Sequence, residues 1–225
     1  MTVRRHFFLT KLSKKGDGAR GVVYIGRMPR RPEAKAKILE TALLLFWQKG
    51  PAAVSMDEVG RAAGVHKGSL YHYHRDRDAL ALAVVDEMRS RTGEVLGRAR
   101  EIADPRKRLL HYFDTVARLQ GDIAREHGQF PACPIATMAA DAPGDDPVLR
   151  AATESVFRDI LGLIDEVLAE LRPGASKRAR AAAAEDLLIV WEGAQTLAGA
   201  RNEPTPFKRA RALTIKLLEA WTNSG

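Results

Sequence analysis

The stretch Ser55–Leu80, SMDEVGRAAGVHKGSLYHYHRDRDAL, divides into a short helix, a tight turn and a second short helix. Ser55 is a good N-cap residue. Glu58 three positions on gives the pair the form of a capping box, in which the two side chains satisfy free backbone N–H groups reciprocally. From Met56, apolar side chains recur at helical spacing in Val59, Ala62 and Ala63. Gly64 stops the helix, as glycine does where the backbone turns left-handed. Val65 is an apolar hinge, and the second segment starts at about His66 with Leu70 as its inward anchor.

Two short helices joined by a three- or four-residue turn containing glycine form the helix-turn-helix signature. In that motif the second helix enters the major groove and its N-terminal residues reach base edges. Here it carries Lys67, Ser69, Tyr71, His72 and Tyr73, a set of cation, hydroxyl, imidazole and phenols suited to phosphate and base contacts. An ordinary helical hairpin with a polar solvent face has the same residue types, so the motif alone leaves both readings open.

The flanks separate them. Upstream lies AKILETALLLFWQKGPAAVSM and downstream DRDALALAVVDEM. An amphipathic helix ends in Phe46 with a stop at Gly50, and Ser55-Met56 and Glu58-Val59 follow. Then come Ala62-Ala63-Gly64-Val65, Lys67-Gly68-Ser69-Leu70-Tyr71, and an acidic restart at Asp76 with Leu80. In these features residues 34–88 closely resemble the amino-terminal domain of the TetR family of transcriptional regulators. Two positions depart from the family pattern: His74 stands where Phe is usual, and Pro51 where an aromatic is common.

The resemblance implies an all-α chain. A three-helix helix-turn-helix DNA-binding domain is expected over 32–80, and a helical ligand-binding and dimerisation domain over 81–225. The implied DNA-contacting positions are Ser55, Met56, Val65, His66, Lys67, Gly68, Ser69, Tyr71, His72, Tyr73 and Arg75. The implied partners are a palindromic double-stranded operator, a second copy of the chain and a small-molecule effector, with no cofactor, no metal and no membrane. The implied activity is that of a repressor in the bacterial cytoplasm, released from DNA by its ligand; a constitutive architectural DNA-binding protein is the alternative.

Charge distribution qualifies the DNA signal. The net charge is +8, but residues 1–31 carry nine Lys/Arg against one acid, Asp17, so residues 32–225 sum to zero. The excess sits in the tail, and a neutral body binds DNA only through a local patch. For the tail three readings stay open: a disordered basic arm that adds phosphate contacts, an inert extension, or a mis-assigned start with the natural beginning at Met28. A single cysteine excludes an internal disulfide and suits a reducing compartment. No apolar run reaches the ~18 residues needed to span a membrane.

Along the chain, helices are expected over about Pro32–Lys49, Asp76–Ala103, Pro105–Glu126, Cys133–Ala140, Pro147–Leu171, Ser176–Ala200 and Pro206–Thr222. In the first, Ile38, Ala42, Leu45 and Phe46 face inward. Leu109, Tyr112, Phe113, Val116 and Leu119 form one apolar stripe of the body; Val156, Ile160, Leu163, Ile164, Val167 and Leu168 form another. Asp104-Pro105 breaks the chain between head and body. A dimer face is expected on 181–198 and 207–221, where Ala183, Ala184, Gly193, Ala194 and Ala198 allow close helix approach; filling of the protomer core is the alternative.

Candidate effector residues are Tyr112, Phe113, Met138, Phe157, Trp191 and Gln195, equally good as core. Cys133, in QFPACPIATMAAD, sits where one subgroup of the family often carries a Gly-Cys pair at a helix start, through which some of its members sense electrophiles or oxidants. A helix N-terminus lowers a thiol pKa, although Ala132 and Pro134 make the local match partial. An enzyme pairing Cys133 with His111 or His127 lacks a third group to orient the base. His72 and His74 are two apart on a helix and point in different directions, whereas zinc-type pairs stand at i, i+4.

Overall fold

The structure is a computed structural model describing residues 31–141 and 146–223. The basic stretch expected over 1–31, apart from Arg31, and the breaker run 142–145 lie outside the described residues. Among those described, nine α-helices and one short 3-10 turn occur, with no strand. Cα packing divides the chain into two compact units that part at Val84 and Val85.

The first unit holds α1 (Arg31–Lys49), the 3-10 turn (Pro51–Ala53), α2 (Met56–Ala63), α3 (Lys67–Tyr73) and the opening turns of α4 (Arg77–Arg100). The inward set expected in α1, Ile38, Ala42, Leu45 and Phe46, is buried, together with Val59, Leu70, Leu80 and Val84. Gly50, at φ 78°, turns the chain into buried Pro51, which starts the 3-10 turn. Gly64 ends α2 in the left-handed region at φ 65°. Gly60 is buried, and a Cβ there would meet Leu70 Cδ2 at 3.4 Å, so its missing side chain lets α2 and α3 approach closely.

The second unit holds the rest of α4, then α5 (Pro105–His127), α6 (Pro134–Asp141), α7 (Pro147–Leu171), α8 (Lys177–Arg201) and α9 (Thr205–Asn223). Asp104 and Asp146 are N-caps that each accept two backbone N–H bonds ahead of a first-turn proline, the arrangement in which the missing proline N–H costs nothing. α4 ends three residues earlier than the sequence suggests. Arg108, buried, donates from Nε to the Ile102 carbonyl at 3.0 Å and pairs with Glu170. That draws the chain out of the helix before Ala103.

α7 buries all six residues expected inside it. In α5 the stripe shifts: Leu109, Tyr112 and Phe113 are buried, Val116 and Leu119 are half-buried, and Gln120 and Ile123 take their place in the core. The small residues expected at a dimer face divide likewise. Ala184, Ala194 and Ala198 are buried inside the protomer, Ala183 is half-buried and Gly193 is exposed, as are the larger side chains Ile189 and Leu197 on the same helix. With 3.6 residues per turn, α8 can turn only one stripe inward against α7 and α9. No described helix is long and apolar enough to cross a membrane.

Candidate nucleic-acid interface and effector site

The first site is built on α2 and α3. Ser55 accepts a hydrogen bond from the Glu58 backbone N–H at 3.2 Å, one half of the expected capping box. The Glu58 carboxylate does not return to Ser55. It pairs with Lys49 of α1 at 2.5 Å, so the box becomes a bond between helices. His66 caps α3, accepting the backbone N–H bonds of Ser69 and Leu70 through its carbonyl.

Leu70, with no exposure, fixes α3 on the core, and the opposite face presents His66, Lys67, Gly68, Tyr71 and His72 to solvent. Ser69, Tyr73 and Val65 are half-buried, and Arg75 is exposed and paired with Asp76 at 2.9 Å. Met56 departs from expectation. It is buried because the first inward position of α2 falls on it, and its backbone amide is the N1 group of that helix.

Sequence reasoning missed Asp57. Its carboxylate lies 3.0 Å from the Lys67 ammonium, which also stands over the Tyr71 ring at 5.7 Å. The hydrogen bond and charge of Asp57 raise the Lys67 pKa. Asp57 lies ten residues before Lys67, so no local spacing links the two.

His74 is buried and its Nε2 has no hydrogen-bond partner. Burial first, and the Lys35 charge second, hold its imidazole below the usual histidine range. A ring occupies the family's usual Phe position, but one that carries a polar nitrogen into the core.

The second site lies in the helical body. Phe113 and Trp191 stack at 4.2 Å with 6° between planes. Phe207 packs on Trp191 at 6.2 Å, and the indole N–H donates to Thr214 Oγ1 at 2.8 Å. These two candidates are satisfied core, closed on each other. Met138 is buried on α6 and Phe157 is half-buried on α7.

Tyr112, Cys133 and Gln195 gather around two residues that the sequence reading did not single out, Glu192 and Gln120. Gln195 Nε2 donates to Glu192 Oε1 at 2.8 Å, and Gln195 Oε1 accepts from Gln120 Nε2. Cys133 and Glu192 lie close enough for the Glu192 charge to raise the thiol. A polar residue at i+7 from Phe113 on an apolar stripe was the available signal for Gln120.

Cys133 reverses its expectation. It precedes α6, and backbone N–H groups of Ile135 and Ala136 do favour the thiolate, but burial and then the Glu192 charge outweigh them and push the thiol up. Tyr112 is also raised, by burial and then by the Cys133 and Glu192 charges. The loop before Cys133 is held by the C-cap residue of α8: Phe130 N–H donates to Asn202 Oδ1 at 2.8 Å, and Asn202 Nδ2 donates to the Gly128 carbonyl at 3.1 Å. A Cβ on Gly199 would stand 3.3 Å from Ala132 N. Among the described residues no group of three His, Cys, Asp or Glu side chains could hold a metal.

Two family models match. The model of bacterial regulatory proteins, tetR family, matches residues 38–84, and the LmrA/YxaF-like transcriptional regulator C-terminal domain matches residues 110–213. The uncharacterized HTH-type transcriptional regulator Rv1255c of Mycobacterium tuberculosis is 37% identical over 95 residues, 41% of this chain and 47% of that protein. The chain thus spans about half the length of that relative. The HTH-type transcriptional repressor NemR of Escherichia coli is 24% identical over 140 residues, 60% of this chain and 67% of that one. In fold, the crystal structure of SCO4454, a TetR-family transcriptional regulator from Streptomyces coelicolor, superposes with a TM-score of 0.73 at 22% identity, covering 85% of this chain and 97% of that one.

Proposed function

This chain belongs to the TetR family of bacterial regulatory proteins, and from that premise we propose that it is a homodimeric repressor that leaves a palindromic operator when a small molecule binds its helical body. The observation that carries the reading is the exposed face of α3, with His66, Lys67, Gly68, Tyr71 and His72 outward on the buried anchor Leu70. Ser55, the Met56 amide, Ser69, Tyr73 and Arg75 flank that face and supply phosphate contacts, with Val65 as its apolar neighbour. One such helix reads too few base pairs for specificity, and a pair about one DNA turn apart reads a palindrome.

The exposed stripe of Ile189, Gly193 and Leu197 on α8, with Leu213 on α9, supports dimerisation, since adjacent exposed apolar residues mark interaction surfaces. The name of the relative NemR supports repression. A regulator of this kind works in the cytoplasm.

For the switch, α4 is a continuous helix from Arg77 to Arg100 and crosses the division between the two units. Arg89 and Arg100 tie it to Asp159 and Glu166 of α7 at 2.7 and 2.8 Å. A ligand that shifts α7 tilts α4 and changes the spacing of the two recognition helices. Ligand and operator then antagonise each other reciprocally. The buried, raised thiol of Cys133 favours a non-covalent effector over a thiol-reactive one.

Fluorescence anisotropy on the chain's own upstream DNA against a scrambled duplex at fixed salt, with and without a thiol-reactive electrophile, tests the reading. Sequence-specific binding unaffected by the electrophile is expected. Release that Cys133→Ser abolishes would restore thiol sensing, and equal affinity for both duplexes would favour the architectural alternative.

A further inference from the structure

The Gln120–Gln195–Glu192 chain has a polarity that the carboxylate imposes. An ionised carboxylate only accepts hydrogen bonds, so Gln195 turns its Nε2 toward Glu192 and its Oε1 toward Gln120. Gln120 must then present its own Nε2, because reversing its amide would set oxygen against oxygen. Its Oε1 is left without a donor, in a side chain only 3% exposed.

At the other end, Glu192 has no basic partner among the described residues. Burial raises its pKa, and Cys133 and Gln195 act in the opposite direction, toward the ionised form. A half-buried carboxylate without a cation and a buried carbonyl without a donor are both costly, and each calls for an explanation, of which a bound molecule is one. Both ends ask for donors, and one asks for positive charge.

We propose that this cluster binds a small organic cation whose charged nitrogen pairs with Glu192, whose second hydrogen-bond donor meets Gln120 Oε1, and whose apolar remainder lies beside Tyr112. The inference rests on the reading of the helical body as effector-binding and names the chemical class of the effector.

The test is isothermal titration of the full-length protein with two ammonium probes, tryptamine and 1,5-diaminopentane, and with their carboxylate counterparts, indole-3-propionate and glutarate. Both ammonium compounds are expected to bind and both carboxylates to fail. Glu192→Gln, checked for native helicity, is expected to weaken the ammonium probes by about tenfold or more. Binding of the carboxylates as tightly as the ammonium probes, absence of binding by either ammonium probe at millimolar concentration, or undiminished binding by folded Glu192→Gln would each overturn the proposal. If the variant does not fold, the comparison of charges on the wild-type protein decides. Operator affinity is measured separately. Specific DNA binding released only by an uncharged or anionic compound keeps the regulator and sinks the cation site, whereas ammonium binding without specific DNA affinity keeps the site and sinks the regulator.

Discussion

Lys67, the first residue of α3, is held by Asp57 of α2, with 3.0 Å between ammonium and carboxylate. Both side chains are well exposed, so the pair adds little stability. Its consequence is electrostatic. The cation best placed to meet a phosphate is partly neutralised by its own protein and aimed over Tyr71. Asp57→Asn is expected to tighten binding to operator and scrambled duplexes alike, leaving the ratio between them about the same. The plot of log affinity against log salt should steepen by about one unit, the signature of one more released counterion. An unchanged slope in anisotropy titrations would mean that Lys67 does not face the backbone.

Tyr71 is 41% exposed at the centre of the outward face of α3. Tyr71→Ala is expected to cost about 1–3 kcal/mol of operator affinity while changing affinity for scrambled DNA much less. Sedimentation should show the same oligomeric state as wild type. Loss of dimerisation would show that the reading face is misplaced.

His74 carries a pH dependence whose sign follows from its lowered pKa. Because the folded state holds its imidazole below 6.5, the unfolded chain binds the proton first. Stability is therefore complete above the ordinary histidine value and is lost as pH falls through it, until the folded-state value is passed. His74→Phe removes both this term and the unpartnered Nε2. Paired thermal melts should show the variant gaining on wild type at pH 5 by more than at pH 8; an equal gain at both would assign the effect to packing alone.

Cys133 is 4% exposed with a raised pKa, so its labelling by an aromatic disulfide should be slow in the native protein and fast in denaturant. Gly199→Ala pushes on the backbone at Ala132, 3.3 Å away, and overpacking of this kind costs about 1–3 kcal/mol. The variant should label faster than wild type under native conditions. Labelling of wild type at the rate of a free thiol would contradict the burial of this cluster.

What the sequence alone determined is what local physics specifies. Spacing of Ile38, Ala42 and Phe46 dictated one face of α1. Pro105 and Pro147 marked two helix starts, and Gly64 marked a stop by adopting left-handed backbone. Leu70 was legible as the anchor of α3 because one apolar residue in a polar heptapeptide has only one use. Helix ends and the inner face of the body were less so: nothing near Ala103 announces that Arg108 takes the carbonyl of Ile102 and closes α4 early. The chemistry that distinguishes this chain depends on pairs far apart in sequence: Asp57 with Lys67, Gln120 with Gln195, Cys133 with Glu192. Whether a glutamine at i+7 on an apolar stripe is a solvent residue or a buried link cannot be read from the helix that bears it, because its partner stands on another helix. The same holds for the thiol: a helix start lowers its pKa locally, and only the packing of α8 over it supplies the burial and the carboxylate that reverse the sign.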